Sequence, residues 1–156
     1  MLEIEIPGFA SLRLKHLVLD FNGTLAVDGY LVPGVKVRLE SLSRSLHLHV
    51  LTADTFGMAR ASLLEVPCEL SILAQERQDL AKCAYVEKIG ASEVVCIGNG
   101  RNDCLMLRSA AIGIAVMNKE GVAAAAVLAA DLVVPGIMDA LDLLDNPLRL
   151  VASLRS

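Results

Sequence analysis

A chain of 156 residues has the length of one domain, so a single unit over residues 1–156 is expected and separate substrate and nucleotide modules are not. Hydrophobic residues make up 54% and charged residues 21%, enough apolar side chain for a sizeable core, which excludes a disordered chain. The formal net charge of -4, with 3% aromatic residues and no Trp, offers neither the electrostatic footprint nor the stacking platforms of a nucleic-acid binder.

The longest stretches without a charged residue, 109–118 and 121–130, are ten residues each, against the roughly 20 that cross a bilayer. No membrane partner is expected. The opening MLEIEIP carries acid where a secretory signal wants Lys or Arg, so no export is expected either. Cys68, Cys83, Cys96 and Cys104 contain no C-x-x-C pair and read as small core hydrophobes in a reducing compartment, which makes the expected location cytoplasmic.

In chain order, residues 2–6 and 12–14 read as two short strands joined around Pro7-Gly8, and His16–Asp20 (HLVLD) as a buried strand ending in an acid. Residues 21–34 hold Gly23, Gly29, Pro33 and Gly34 and read as a turn and a small flap. The spacing of Val35, Leu39, Leu42 and Leu46 predicts a helix, and 46–51 a second buried strand followed directly by Thr52. Asp54 or Thr55 caps a predicted helix running to Leu64; 68–73 is a third apolar run, and 77–89 a helix ended by Gly90. Residues 94–97 make the clearest strand, ending at Gly98-Asn99-Gly100. Helix 103–110, strand Ile112–Val116, helix 122–130 and strand Leu132–Val134 complete the pattern. Such alternation predicts an α/β fold, a Rossmann-like doubly wound parallel sheet with helices on both faces.

Ligands of such sheets bind beyond the carboxyl ends of the strands. There the chain places Asp20-Phe21-Asn22-Gly23-Thr24-Leu25, Thr52-Ala53-Asp54 and Gly98-Asn99-Gly100-Arg101-Asn102-Asp103, with Lys82 on the helix leading into the third of these strands. A carboxylate, a hydroxyl, an ammonium and a second acid on one rim suit metal-assisted phosphoryl transfer, where the chemistry is mostly charge stabilisation.

This constellation resembles the haloacid dehalogenase superfamily over nearly the whole chain. The first motif of that superfamily is an Asp after a strand followed by a Gly-Thr turn, here D20-F-N22-G-T24-L. T52-A53-D54 and G98-N99-G100-R101-N102-D103 are similar to the T-G-D and G-D-G-x-N-D of P-type ATPases, so the chain looks like the soluble, P-type-ATPase-like phosphatase branch. The resemblance implies an enzyme with Asp20 as nucleophile, forming an aspartyl-phosphate. Thr52 would donate to a phosphoryl oxygen, Lys82 would neutralise it, and backbone N–H groups near Phe21 to Gly23, with Thr24, Ala53 and Asn102, would complete the phosphate site. Mg²⁺ would be held by Asp20, the backbone carbonyl of Asn22 and a group from Asn99 to Asp103.

Two positions depart from the pattern. Superfamily phosphatases usually carry an acid/base Asp where this chain has Asn22, and an amide cannot titrate. Asn99 replaces an acid that normally touches Mg²⁺, so Asp103 is expected to supply the missing charge. The expectation is therefore a slow phosphohydrolase or phosphotransferase acting on a small phosphorylated substrate or nucleotide. The alternative from another class is a non-catalytic phosphoryl-binding or interaction domain on the same fold.

Only 32 positions separate Asp20 from Thr52 and 30 separate Thr52 from Lys82, which leaves no room for a cap domain and favours a homo-oligomer closing over the site with the flap at 26–32. Lys88 is the rival of Lys82. Asp54 reads equally well as a helix cap. His47 and His49 alternate as a two-His metal site would, but read better as partly exposed residues at a strand start. Arg101 either reaches the substrate or is a charged turn residue, and the sequence does not choose.

Overall fold

The computed structural model describes residues 1–156. Leu2–Ile6 (β1) and Ala10–Leu14 (β2) pair antiparallel, Leu2 opposite Leu14 and Ile6 opposite Ala10. Ile4, Ile6, Leu12 and Leu14 are buried, the alternation of a ribbon with one covered face. β2 begins two residues before the apolar run 12–14 because Ala10 and Ser11 complete that register.

The main sheet has six parallel strands. They are His16–Asp20 (β3), His47–Thr52 (β6), Cys68–Ile72 (β7), Val94–Gly98 (β8), Ile112–Val116 (β9) and Leu132–Val134 (β10), in the spatial order β10-β9-β8-β3-β6-β7. Parallel neighbours need crossovers, and the helices Val35–Leu42 (α1), Ala59–Ser62 (α2), Gln78–Ile89 (α3), Cys104–Ser109 (α4) and Ala124–Ala129 (α5) supply them. Side chains of the central strands alternate between two apolar layers. Leu17, Leu19, Val95 and Ile97 pack with Val35 and Leu39 of α1; Val18, Val94 and Cys96 pack with Val86 of α3, Met106 and Leu107 of α4, and Ala126 of α5. Both faces of the sheet are therefore covered, which is the doubly wound arrangement. The same alternation sends Asp20, two residues after Val18, to the α3 face.

Ala26–Val27 (β4) and Tyr30–Leu31 (β5) form a small hairpin. Its two turn residues, Asp28 and Gly29, have φ of 51° and 83°, the left-handed pair a tight hairpin turn requires. This hairpin and its flanking turns are all that lies between β3 and α1, and residues 73–77 are all that lies between β7 and α3.

Several boundaries differ from the sequence expectation. The helix expected from 54 to 64 shrinks to α2 because Asp54 and Gly57 both take left-handed backbone, φ 50° and 66°, which no helix continues. α1 stops at Leu42, since residues 43–46 turn down to β6. A 3₁₀ turn, Arg101–Asp103, precedes α4. Ile137–Asp145 (α6) and Pro147–Leu154 (α7) were not expected at all, although buried Ile137, Ala140, Leu141 and Leu144 carry a helical spacing. All four cysteines are free, Cys96 fully buried and the others half-buried. No helix is long and apolar enough to cross a membrane.

Candidate active site

The chain runs from β3 outward to β6 and β7, then returns to the other side of β3 to lay down β8, β9 and β10. Strand order reverses between β3 and β8, and a crevice opens there beyond the carboxyl ends. Asp20 closes β3 and Gly98 closes β8, so the first and third motifs face each other across it.

Four buried polar groups meet at this point. Lys82 Nζ lies 2.6 Å from Asp20 Oδ1 and 2.7 Å from Asp103 Oδ1. Lys82 comes from the middle of α3, the helix that covers the face toward which Asp20 points, and it is completely buried. Lys88, the rival, is exposed in the last turn of the same helix. The second oxygen of Asp103 accepts the backbone N–H groups of Asn99 (3.0 Å) and Gly100 (2.8 Å). Both Asp103 oxygens are thus engaged inside the protein, and the carboxylate fixes the loop while pairing with Lys82. Gly98 is required here, since a Cβ on it would stand 2.5 Å from the Asp103 carboxyl carbon.

Thr24 Oγ1 is 3.1 Å from Asp20 Oδ2 and 3.2 Å from Asn99 Oδ1. One hydroxyl hydrogen cannot serve both oxygens, so one of the two keeps a free lone pair in a buried place. Asn99 is anchored by its amide, whose Nδ2 donates to the Gly121 carbonyl at 3.0 Å. It packs so closely on the first loop that a Cβ on Gly23, already at φ 80°, would stand 2.5 Å from Asn99 Nδ2. Gly23 and Thr24 donate their N–H groups to the carbonyls of Ala26 and Phe21, so these two hydrogens serve the turn and not an anion nest. Phe21 itself is buried in the core. Asn22 Oδ1 is buried and has no hydrogen-bond partner.

Thr52, the last residue of β6, is buried, and its hydroxyl oxygen accepts the N–H of Asp54 at 2.9 Å. Its own hydrogen remains uncommitted, which suits a donor. Ala53 is half-buried beside it, and Asp54 Oδ1 accepts the N–H of Ala59, the first residue of α2, at 2.9 Å, while the N-cap position itself is held by Met58. Asn102 donates through Nδ2 to Gln78 Oε1 at 2.9 Å and so ties the third loop to the start of α3.

The electrostatics follow from burial. Burial, and then the charge of Asp103, pushes the Asp20 carboxyl up to about 7 against the lowering pull of Lys82 and Thr24. For Lys82, burial alone would lower the value, but the carboxylates of Asp20 and Asp103 outweigh it and hold the ammonium above its ordinary range. Two acids against one base leave a net negative charge in a buried crevice.

That charge fits a divalent cation. No three His, Cys, Asp or Glu side chains form a metal-ligand cluster anywhere in the chain. The fit at Asp20 therefore depends on neutral oxygens: Asn99 Oδ1, which shares the Thr24 hydroxyl with Asp20 Oδ2, and main-chain carbonyls of the first loop. Hard cations accept such a mixed oxygen set.

His47 and His49 lie toward the opposite end of the sheet. His47 is exposed as expected, but His49 is buried, which corrects the expectation that both are partly exposed. Tyr85 of α3 covers it, with the hydroxyl 3.0 Å from His49 Nδ1, while His49 Nε2 is 3.0 Å from His16 Nδ1. The sequence reading also missed the loop after β9. Asn118 Nδ2 donates to the Thr24 carbonyl at 3.2 Å, and Glu120 Oε1 accepts the Asp28 N–H at 2.7 Å, bracing the flap. The rule that selected the other loops, carboxyl ends of parallel strands, selects this one too.

Asp20, Lys82 and Asp103 are thus joined across the switch point of a doubly wound sheet, and over part of its length the chain is similar to haloacid dehalogenase-like hydrolases. Residues 78–135 match the haloacid dehalogenase-like hydrolase family, a segment that includes Lys82 and the Asn99–Asp103 loop. The chain is 48% identical over 82 residues to an uncharacterised protein of Methanocaldococcus jannaschii, covering 50% of this chain and 88% of that protein. Its fold is similar to the 3-deoxy-D-manno-octulosonate 8-phosphate phosphatase of Moraxella catarrhalis, solved in complex with magnesium, phosphate and the sugar acid (TM-score 0.70, 18% identity, 91% of this chain and 94% of that one). It is similar also to the cobalt-bound deoxy-D-mannose-octulosonate 8-phosphate phosphatase of Haemophilus influenzae (TM-score 0.68, 14% identity, 91% and 90%).

Proposed function

We propose that the protein is a Mg²⁺-dependent phosphohydrolase or phosphotransferase that works through an aspartyl-phosphate on Asp20, with a small phosphorylated substrate or nucleotide as donor. The observation that carries this reading is the buried contact of Asp20 with Lys82 at the strand switch point. One oxygen of Asp20 attacks phosphorus, the bond from phosphorus to the leaving oxygen breaks, and the leaving oxygen takes up a proton. Water then cleaves the acyl phosphate and restores the carboxylate. Lys82 neutralises the phosphoryl oxygens as charge builds on them, and Thr52 donates its uncommitted hydrogen to one of them. Asp103 keeps Lys82 charged and in place. Asp20, the Asn22 carbonyl and Asn99 Oδ1 would hold Mg²⁺, which when bound neutralises phosphoryl charge. The structural relatives crystallised with magnesium and cobalt support a metal requirement, and their sugar phosphate supports a small substrate. Chelation with EDTA is expected to abolish turnover and Mg²⁺ to restore it.

Asn22 sets the rate. A group that shuttles protons contributes roughly 10² to 10⁴ in rate, and an amide contributes none of it. Turnover of alkyl esters should therefore be low, while aryl and acyl phosphates, whose leaving groups need no proton, should react more readily. An Asp at position 22 would sit beside an already negative crevice, which favours its protonated, acid form. Asn22→Asp is expected to raise steady-state hydrolysis of an alkyl phosphate at least about tenfold, a conservative part of that range. Unchanged rates would show that position 22 does not limit the reaction.

A further inference from the structure

Next to the reaction centre lies a cavity of about 430 Å³ lined by Gln75, Arg77, Gln78, Asp79, Arg101 and Asn102. We propose that it is a second anion subsite. In it, Arg77 and Arg101 hold a carboxylate or a second phosphate at the far end of a hydroxylated phosphate ester whose phosphoryl group lies at Asp20. The inference rests on the phosphatase reading and narrows its substrate class.

The two arginines come from different segments, Arg77 from the residue before α3 and Arg101 from the 3₁₀ turn after β8, yet they face one cavity. Neither is committed elsewhere. The ion pairs of the chain engage Arg13 and Arg38 and no other arginine. Asp79 lines the same cavity but pairs with neither guanidinium, so the lining keeps a net positive charge while the crevice at Asp20 is negative. Arg77 takes left-handed backbone, φ 54°, where the chain turns into α3.

The cavity is within reach of the chemistry. Gln78 and Lys82 stand about one turn apart on the same face of α3, roughly 6 Å along the axis, and Lys82 touches Asp20. Asn102, bonded to Gln78, directly precedes Asp103, the other partner of Lys82. A short carbon chain spans that distance. The lining contains no hydrophobic side chain, which disfavours a nucleobase, an aromatic ring or an acyl chain. Its amides and Asp79 suit hydroxyl groups, and two guanidinium forks suit a planar carboxylate or a phosphate.

The test compares kcat/KM for three esters of one skeleton: erythritol 4-phosphate, erythronate 4-phosphate and erythritol 1,4-bisphosphate. The wild type is expected to favour an ester with a second anion over the neutral one by at least about tenfold, the range of a charged hydrogen bond. The carboxylate and bisphosphate arms show which anion the site takes. Arg77→Gln and Arg101→Gln should each lower that ratio, the double variant should bring it close to one, and Arg77→Lys should keep part of it. A ratio near one in the wild type, or equal losses on all three esters in the variants, would overturn the subsite while leaving the phosphatase reading intact. Failure of the phosphatase reading shows separately, as absence of turnover with aryl and acyl phosphates as well as with these alkyl esters. Calorimetry of the same three ligands with the Mg²⁺-loaded wild type and double variant then decides: tighter binding of the doubly anionic ligands that is lost in the variant upholds the subsite, and equal affinities overturn it.

Discussion

Lys82→Met is expected to lower the melting temperature by roughly 10 °C and to remove turnover. The ammonium is completely buried and makes two contacts, 2.6 Å to Asp20 and 2.7 Å to Asp103. Methionine fills a similar volume but leaves two carboxylates facing each other without a counter-charge. Removing one partner from such a buried arrangement costs about 3 to 5 kcal/mol, and for a domain of this size each kcal/mol corresponds to a few degrees. Thermal unfolding followed by circular dichroism measures it, and a shift below about 2 °C would contradict the burial argument. Adding Asp103→Asn to Lys82→Met should recover part of the stability and none of the activity, which separates charge balance from chemistry.

Asp20→Asn should act in the opposite direction on stability and at least as strongly on activity. The amide cannot attack phosphorus, so a loss of at least about 10³-fold in turnover is expected. Stability should hold or rise. Burial and Asp103 raise the Asp20 carboxyl above its ordinary value, so its ionised form is disfavoured by folding at neutral pH, and removing that charge leaves Lys82 and Asp103 as a balanced pair. A variant both inactive and strongly destabilised would make Asp20 a structural acid. Residual turnover near the wild-type level would place the nucleophile elsewhere.

Much of this site was legible in the sequence because strand ends are legible. The apolar runs at His16–Asp20 and Val94–Gly98 mark where two loops begin, and a doubly wound sheet brings such ends to one rim. Side-chain pairing was not legible. Nothing in the spacing says that Asp103 spends one oxygen on Lys82 and the other on two backbone N–H groups, which decides whether it is free for a metal. The shortening of α2 depends on the positive φ of Asp54, a non-glycine residue whose backbone state its identity does not dictate. His49 is buried by Tyr85 across 36 residues of chain, a contact that alternation along one strand cannot foresee. The helices α6 and α7 were readable from their spacing and were missed because the alternating strand and helix pattern ended at Val134.

The central claim is a phosphoryl group carried by Asp20. Wild-type protein with Mg²⁺ and an aryl or acyl phosphate, quenched in acid within the first turnovers and digested, should give a peptide bearing phosphate on Asp20 by mass spectrometry. With Asn22 unable to activate water, that adduct should accumulate, and Asn22→Asp should deplete it. Turnover with no adduct on Asp20, or an adduct that persists in Asp20→Asn, would contradict the account.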